Sequence, residues 1–275
     1  MLYRLIVSGL VSGAIAGVVA TVLHLLLVEP LIFAAEQFEV QEPAVAGAAT
    51  EVPHTHANGL THAHTGGASL HAHKITANTS EAGDTVHIHE DGSTHVHEAW
   101  EPADGVQRSG LTLVANILIG IAYGALLATA LTLYGHGITL QQGAIWGIAG
   151  YLCFNFLPAL GLPPEVPGAA AADLFPRQVW WLATAFISAL GLALLAFGNL
   201  QIWKPVGLIL LITPHVFGAP HAPAGAVGTA PPELASHFVM TTLFSGAMMW
   251  LALGIAMAYM LQRIDARQRA TQPVT

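Results

Sequence analysis

Six apolar runs divide the chain, at about residues 4–28, 109–133, 141–160, 178–198, 202–218 and 237–261. Several reach the ~20 residues that a helix needs to cross a hydrocarbon core of ~30 Å. Their apolar character is continuous rather than alternating, which points to helices and away from a β-barrel. The pattern predicts an all-α polytopic membrane protein with six transmembrane helices. Glu29-Pro30 is expected to end the first. That run is longer than a signal-peptide core of about 7–15 residues, so it reads as a helix rather than a leader cut after Ala34-Ala35. The expected organisation is transmembrane helix 1 in 1–35, a largely flexible polar insert in 36–104, helices 2–6 in 105–262 and a tail in 263–275.

Two patterns suggest repetition. GAIAGV from Gly13 is echoed by GAIWGI from Gly143. An acid followed four residues later by a basic or imidazole residue stands before three of the runs, as Asp104/Arg108, Asp173/Arg177 and Glu233/His237. An acid there complements the positive helix end, and its i,i+4 partner lies on the same face. The sequence thus predicts three repeated helical hairpins, each closed by an outer loop and the first expanded by the insert. Glycines spaced by four (Gly9, Gly13, Gly17; Gly120, Gly124; Gly143, Gly147) predict closely packed helices.

Charge sharpens the topology. Only 9% of the 275 residues are charged, against about 25% in soluble domains. Basic residues gather on the cytoplasmic side of membrane proteins. Cytoplasmic termini put Arg4, Lys204, Arg263, Arg267 and Arg269 inside, and Lys74, Arg108 and Arg177 outside. The expected location is the bacterial cytoplasmic (inner) membrane, multi-pass, with the insert outside. Trp180-Trp181 and Trp203 fall near the proposed interfaces, as aromatic belts do. Eleven acids and one lysine between Glu36 and Asp104 favour cations and argue against nucleic acid. Neither lysine sits in a P-loop, and the single Cys153 permits no internal disulfide.

The insert carries ten of the fifteen histidines, as the His-X-His pairs His54/His56, His62/His64, His71/His73, His87/His89 and His95/His97. In an extended chain residues i and i+2 face the same way, so both imidazoles of a pair can approach one ion. Metal capture is favoured over pH sensing or solubilising filler. Imidazole suits cobalt, nickel, copper and zinc alike. VHIHEDGSTHVH, from Val86, predicts a hairpin turning at Glu90-Asp91-Gly92, with His87, His89, His95 and His97 on one face. Metal would order it. Outside the insert, His24, His215, His221 and His237 are expected in the outer half of the membrane, where ionisable groups are functional candidates; His136 lies in an inner loop. Glu29 and Glu36 are nearby hard ligands. The fifth run has Pro205 at its entry and Pro214 near its exit, so it would offer free backbone carbonyls.

Four stretches resemble a known family: PLIFAAEQFE after the first run, HVHEAWEPADG before the second, PALGLPPEVPG with RQVWWL around the fourth, and PHVFGAPH at the fifth. Together they resemble the predicted cobalt transporter subunit CbtA along nearly the whole chain. The resemblance implies a multi-spanning membrane protein linked with cobalamin synthesis, cobalt as cargo, import as direction, and a small one-helix partner, CbtB, that also carries histidines. By position it points to Glu36, His95, His97, Glu98, His215 and His221. The additional pairs in 54–89 look like an elaboration of a shorter family loop.

The expected function is uptake of divalent cobalt, with the outer loop capturing ions for a helix-bundle pathway. No ATPase motif is present, and membrane potential is a sufficient driving force. Nickel or zinc transport, cobalt efflux and a non-transporting metal receptor are the competing readings. An enzyme is disfavoured, since no nucleophile and base are placed together and a G-x-S-x-G motif is absent.

Overall fold

The structure, a computed structural model, describes residues 2–40, 54–55, 61–62, 85–88, 94–97 and 102–270. Residues 1–41 and 108–275 form one compact unit, and residues 42–107 a second.

The first unit is helical. The opening helix does not stop at Glu29-Pro30. α1 (Leu2–Leu23) continues through a π-helical turn, His24–Val28, into α2 (Glu29–Val40). Proline in a regular helix lacks an N–H and clashes with the carbonyl four residues back. Here the N–H of Glu29, just before the ring, reaches five residues back to the His24 carbonyl. The widened turn accommodates Pro30, and the helix goes on. The device recurs in α4 (Leu140–Tyr151), which runs through a second π turn, Leu152–Phe156, into α5 (Leu157–Ala159). There the Leu157 N–H bonds the Leu152 carbonyl immediately before Pro158. Thr139 and Gln142 start α4 with a reciprocal capping box.

The remaining helices are α3 (Val106–Tyr134), α6 (Leu174–Phe197), α7 (Trp203–Phe217) and α8 (Pro232–Ala270). Among the described residues, four stretches are long and apolar enough to cross a membrane: Tyr3–Phe38, Val106–Tyr134, Leu174–Phe197 and Pro232–Ala270. The other two expected spans fall on the interrupted run α4–α5 and on the 15-residue α7. At ~1.5 Å per residue α7 is about 22 Å long, shorter than the ~30 Å hydrocarbon core.

The helices pair differently from three consecutive hairpins. Gly13 and Gly17 of α1 lie against Gly120 and Ile117 of α3, Gly143 and Gly147 of α4 against Gly254 and Trp250 of α8, and Gly191 of α6 against Gly207 of α7. A Cβ at Gly13, Gly143 or Gly254 would overlap backbone of the facing helix, so these crossings require glycine. The first and second, third and sixth, and fourth and fifth expected spans therefore approach through glycines, and the first also packs along the sixth. Trp250, Leu253, Met257 and Leu261 of α8 form the central core with Leu127 and Leu131 of α3. Outward-facing side chains such as Leu118, Leu182 and Phe186 are large, apolar and exposed, as suits a lipid solvent.

In the second unit, β1 (His54–Thr55) pairs antiparallel with β2 (Thr61–His62), and β3 (Thr85–Ile88) with β4 (Thr94–His97). The register sets His54 opposite His62, and His87 opposite His95. His97 is opposite Thr85, so His87, His95 and His97 occupy positions of one parity in their ladder. The expected turn at Glu90-Asp91-Gly92, and His56, His64, His71, His73, His89 and Glu98, lie outside the described residues.

Candidate metal site and pathway

One end of the helical unit, where α2 ends and α3 begins, collects most of the candidate chemistry. Val28, Ala35, Val166 and Phe238 pack together there, joining α2, the 160–173 loop and the start of α8. The 218–231 loop is tied in by the Thr229 N–H, which donates to the Gly168 carbonyl at 3.0 Å. This insert end carries two arginine–glutamate pairs.

Arg108, in the first turn of α3, donates to Glu36 of α2 at 2.6 Å and lies 4.6 Å from the centre of the Phe33 ring. Arg177, in the first turn of α6, donates to Glu165 of the 160–173 loop at 2.5 Å. The i,i+4 pairing of Arg177 with Asp173, expected from the sequence, gives way to a longer-range partner. Glu165 is held by a proline-rich loop, PPEVP, that brings the carboxylate to the guanidinium. Asp173 caps α6 without a side-chain hydrogen bond. Glu36, expected as a hard metal ligand, is engaged by Arg108.

A cleft of about 560 Å³ includes the Glu165–Arg177 pair in its lining. Leu174, Gln178 and Trp181 of α6 line it, together with Phe154, Asn155 and Thr242. Asn155 sits in the second π turn, where the irregular backbone aims it at α8. Trp250 Nε1 donates to its Oδ1 at 2.8 Å. π turns inside α-helices are frequent at functional sites.

The histidines outside the insert are dispersed. His24 is half-buried in the first π turn, in the field of Glu29 and Arg108. His215, in the last turn of α7, is edge-on to Trp180 of α6, ring centres 6.1 Å apart. His221 is exposed in the 218–231 loop, and His237 is exposed in the early turns of α8. His136 is exposed, with Nδ1 2.5 Å from the Tyr134 carbonyl. Among the described residues, no three His, Cys, Asp or Glu side chains come together to hold a metal ion. The four histidines expected to share one level thus form no ready cluster. Trp180 and Trp181 lie against His215 and Phe154.

Sequence reasoning missed Asn155, Glu165, Thr184, Ser188 and Thr242. Glu165 had a visible signal, as the sole acid between Asp104 and Asp173. Asn155 had another, as the sole asparagine between Asn116 and Asn199, three residues before a proline. Threonine and serine are too common in membrane helices to stand out.

Comparison with known families decides the assignment: the family described as "Probable cobalt transporter subunit (CbtA)" matches residues 2–262. The chain belongs to the CbtA family. No curated protein and no solved structure shows significant similarity to it. Membership covers both π turns, both arginine–glutamate pairs, the cleft and the insert. A CbtA chain is a transporter subunit, which implies at least one further subunit, and its family cargo is cobalt. The apolar helices make it a multi-pass membrane protein.

Proposed function

We propose that the chain imports divalent cobalt across the bacterial cytoplasmic membrane. The observation that carries this reading is the CbtA match across residues 2–262. In this reading the chain crosses six times, with α4–α5 and α7 as the two less regular passes. Both termini are cytoplasmic, and the insert end faces outward. The further subunit is a small single-helix membrane protein resembling CbtB.

Capture falls to the insert. Cross-strand neighbours in antiparallel pairs have Cα atoms ~4.5–5.5 Å apart, near enough for two imidazoles to share one ion. The register supports such sharing at His54/His62 and His87/His95. His56, His64, His71, His73 and His89, with His97 and Glu98, extend the same capacity along the loop. Ions released there reach the insert end, where Glu36, Glu165, His24, His215, His221 and His237 are distributed. A carboxylate held by arginine is a reversible ligand: a cation that pairs with Glu165 displaces Arg177, and leaves when Arg177 returns.

The driving force is electrical. One charge moving through 100 mV gains ~2.3 kcal/mol, so a divalent ion gains about 4.6 kcal/mol, enough for roughly 10³-fold accumulation. Imidazole ligands do not by themselves select cobalt over nickel or zinc.

The test is metal uptake into proteoliposomes containing the purified chain, with cobalt, nickel and zinc compared, with and without residues 52–90. Cobalt should enter in both, with uptake from limiting cobalt several-fold lower in the deletion. Outright loss on deletion would make the insert part of the pathway rather than a gathering device. Binding without flux in either form would instead support a receptor. A topology reporter near residue 70 should read extracytoplasmic; a cytoplasmic reading would favour efflux.

A further inference from the structure

Buried polar atoms without partners concentrate, among the described residues, on α6 and α7. Among the described residues, seven buried side-chain polar atoms have no hydrogen-bond partner, and four belong to this pair: Trp180 Nε1, Thr184 Oγ1, Ser188 Oγ and His215 Nε2. Thr184 and Ser188 are both 0% exposed. A hydroxyl buried without a partner costs ~1–3 kcal/mol by mutational measures. Serine and threonine in a helix ordinarily avoid this by donating to the carbonyl four residues back. Ser8, Thr21, Thr112, Thr132 and Thr213 do so here. Thr184 and Ser188 do not.

Their placement forms a track. Trp180, Thr184 and Gly191 lie on the face of α6 that meets α7. Ser188 is one step round, towards the second π turn, since 3.6 residues make a turn. The antiparallel contact is bounded at two points. At the insert end Trp180 meets His215. At the other end Gly191 and Gly207 touch, so that a Cβ on Gly191 would lie 2.9 Å from the Gly207 carbonyl oxygen. Between them, Pro214 has no N–H to offer the Leu210 carbonyl, so that helical bond is unmade. The bounded interval therefore has one imidazole at its upper edge, the Thr184 hydroxyl on its α6 wall with the Ser188 hydroxyl one step round, and one backbone oxygen without its usual helical donor.

We propose that this interval is an occluded binding site for a partly hydrated divalent transition-metal cation, with His215 Nε2 as its nitrogen ligand and Thr184, Ser188 and the Leu210 carbonyl as oxygen donors, directly or through water. The identity of the cation rests on the transport reading above; the site itself rests on the unpaired polar atoms. The donor set is deliberately weak. A single imidazole with neutral oxygens holds a cation in transit without trapping it, as permeation requires. Trp180 and His215 close the site towards the insert end, and Gly191–Gly207 closes it below. Release to the other side requires the glycine crossing to part, and Pro214 with Gly218, at φ 82°, provides the place for α7 to bend.

A sulfur probe tests this directly. In full-length protein carrying Cys153→Ala, Thr184→Cys and Ser188→Cys are separately titrated with Co²⁺ and followed by absorption. A thiolate bound to Co²⁺ gives a near-ultraviolet charge-transfer band that histidine ligands in the insert do not give. The band is expected in at least one seam variant, and it should weaken at least tenfold in apparent affinity when His215→Ala is added. Ser12→Cys, equally buried and unpartnered but on α1, should show none. Absence of the band from both seam variants, while they still carry cobalt into proteoliposomes, overturns the site and leaves the transport reading standing. A His215-dependent band in protein that moves no cobalt upholds the site and overturns the transport reading. A band equally strong in Ser12→Cys also overturns the proposal, since cobalt would then be reaching any buried thiol.

Discussion

The α4–α8 crossing and the α6–α7 crossing are both sealed by a glycine pair, yet they are built for different ends. At α4–α8 the glycines continue into a filled core. Gly147 lies against Trp250, whose Nε1 is satisfied by Asn155, and Phe154 stacks on the same indole at 5.6 Å. At α6–α7 the glycine pair opens onto Trp180, Thr184, Ser188 and His215, each with a buried unpaired polar atom. Helices in lipid have no hydrophobic drive towards one another, so close packing and satisfied polar groups are what hold them. The first crossing has both. The second has close packing around its glycines, with Leu194, Leu195 and Leu211, and four buried polar atoms without partners towards the insert end. The contrast separates a crossing that holds the bundle together from one that can take a guest.

The largest expected effect lies in the filled crossing. Gly254→Leu forces a side chain into the backbone of α4 and should destabilise the protein by about 3 kcal/mol, read as loss of monodisperse protein in detergent or a lowered Tm. Asn155→Ala leaves Trp250 Nε1 buried without its acceptor and should cost about 1 kcal/mol. The seam should respond in the opposite manner. Thr184→Val and Ser188→Ala break no hydrogen bond, so stability should stay within about 0.5 kcal/mol of wild type or rise. Their cobalt flux should nonetheless fall several-fold. A marked loss of stability in these two variants would erase the distinction between the crossings. The smallest effect belongs to the far end of the bundle, where Arg4 and Asp265 form a part-exposed pair at 3.0 Å. Arg4→Ala should change stability by about 0.5 kcal/mol or less, with flux unchanged.

The apolar runs were legible because lipid demands them, and four of the six expected segments coincide closely with helical segments, while the last helix continues past 261 to Ala270. The first failed at Glu29-Pro30 for a local reason. Proline stops a helix only when the turn before it is regular, and nothing in HLLLVEP announces a π turn. The glycine spacings foretold close approach but not partners, because any two small-residue faces can meet. Arg177 looked paired with Asp173 along the sequence, whereas a proline-rich loop delivers Glu165 in space. The histidine pattern drew attention to the visible imidazoles and away from Asn155, Thr184, Ser188 and Thr242. Their importance comes from burial and from bonds they do or do not make, which composition does not encode.

The most direct measurement of the central claim is cobalt entry into proteoliposomes holding the purified full-length chain under an imposed, inside-negative potassium diffusion potential. Accumulation is expected against the cobalt gradient, falling to passive equilibration when the potential is collapsed by ionophore. Entry that is identical with and without the potential, or no entry at all from folded protein, would contradict it.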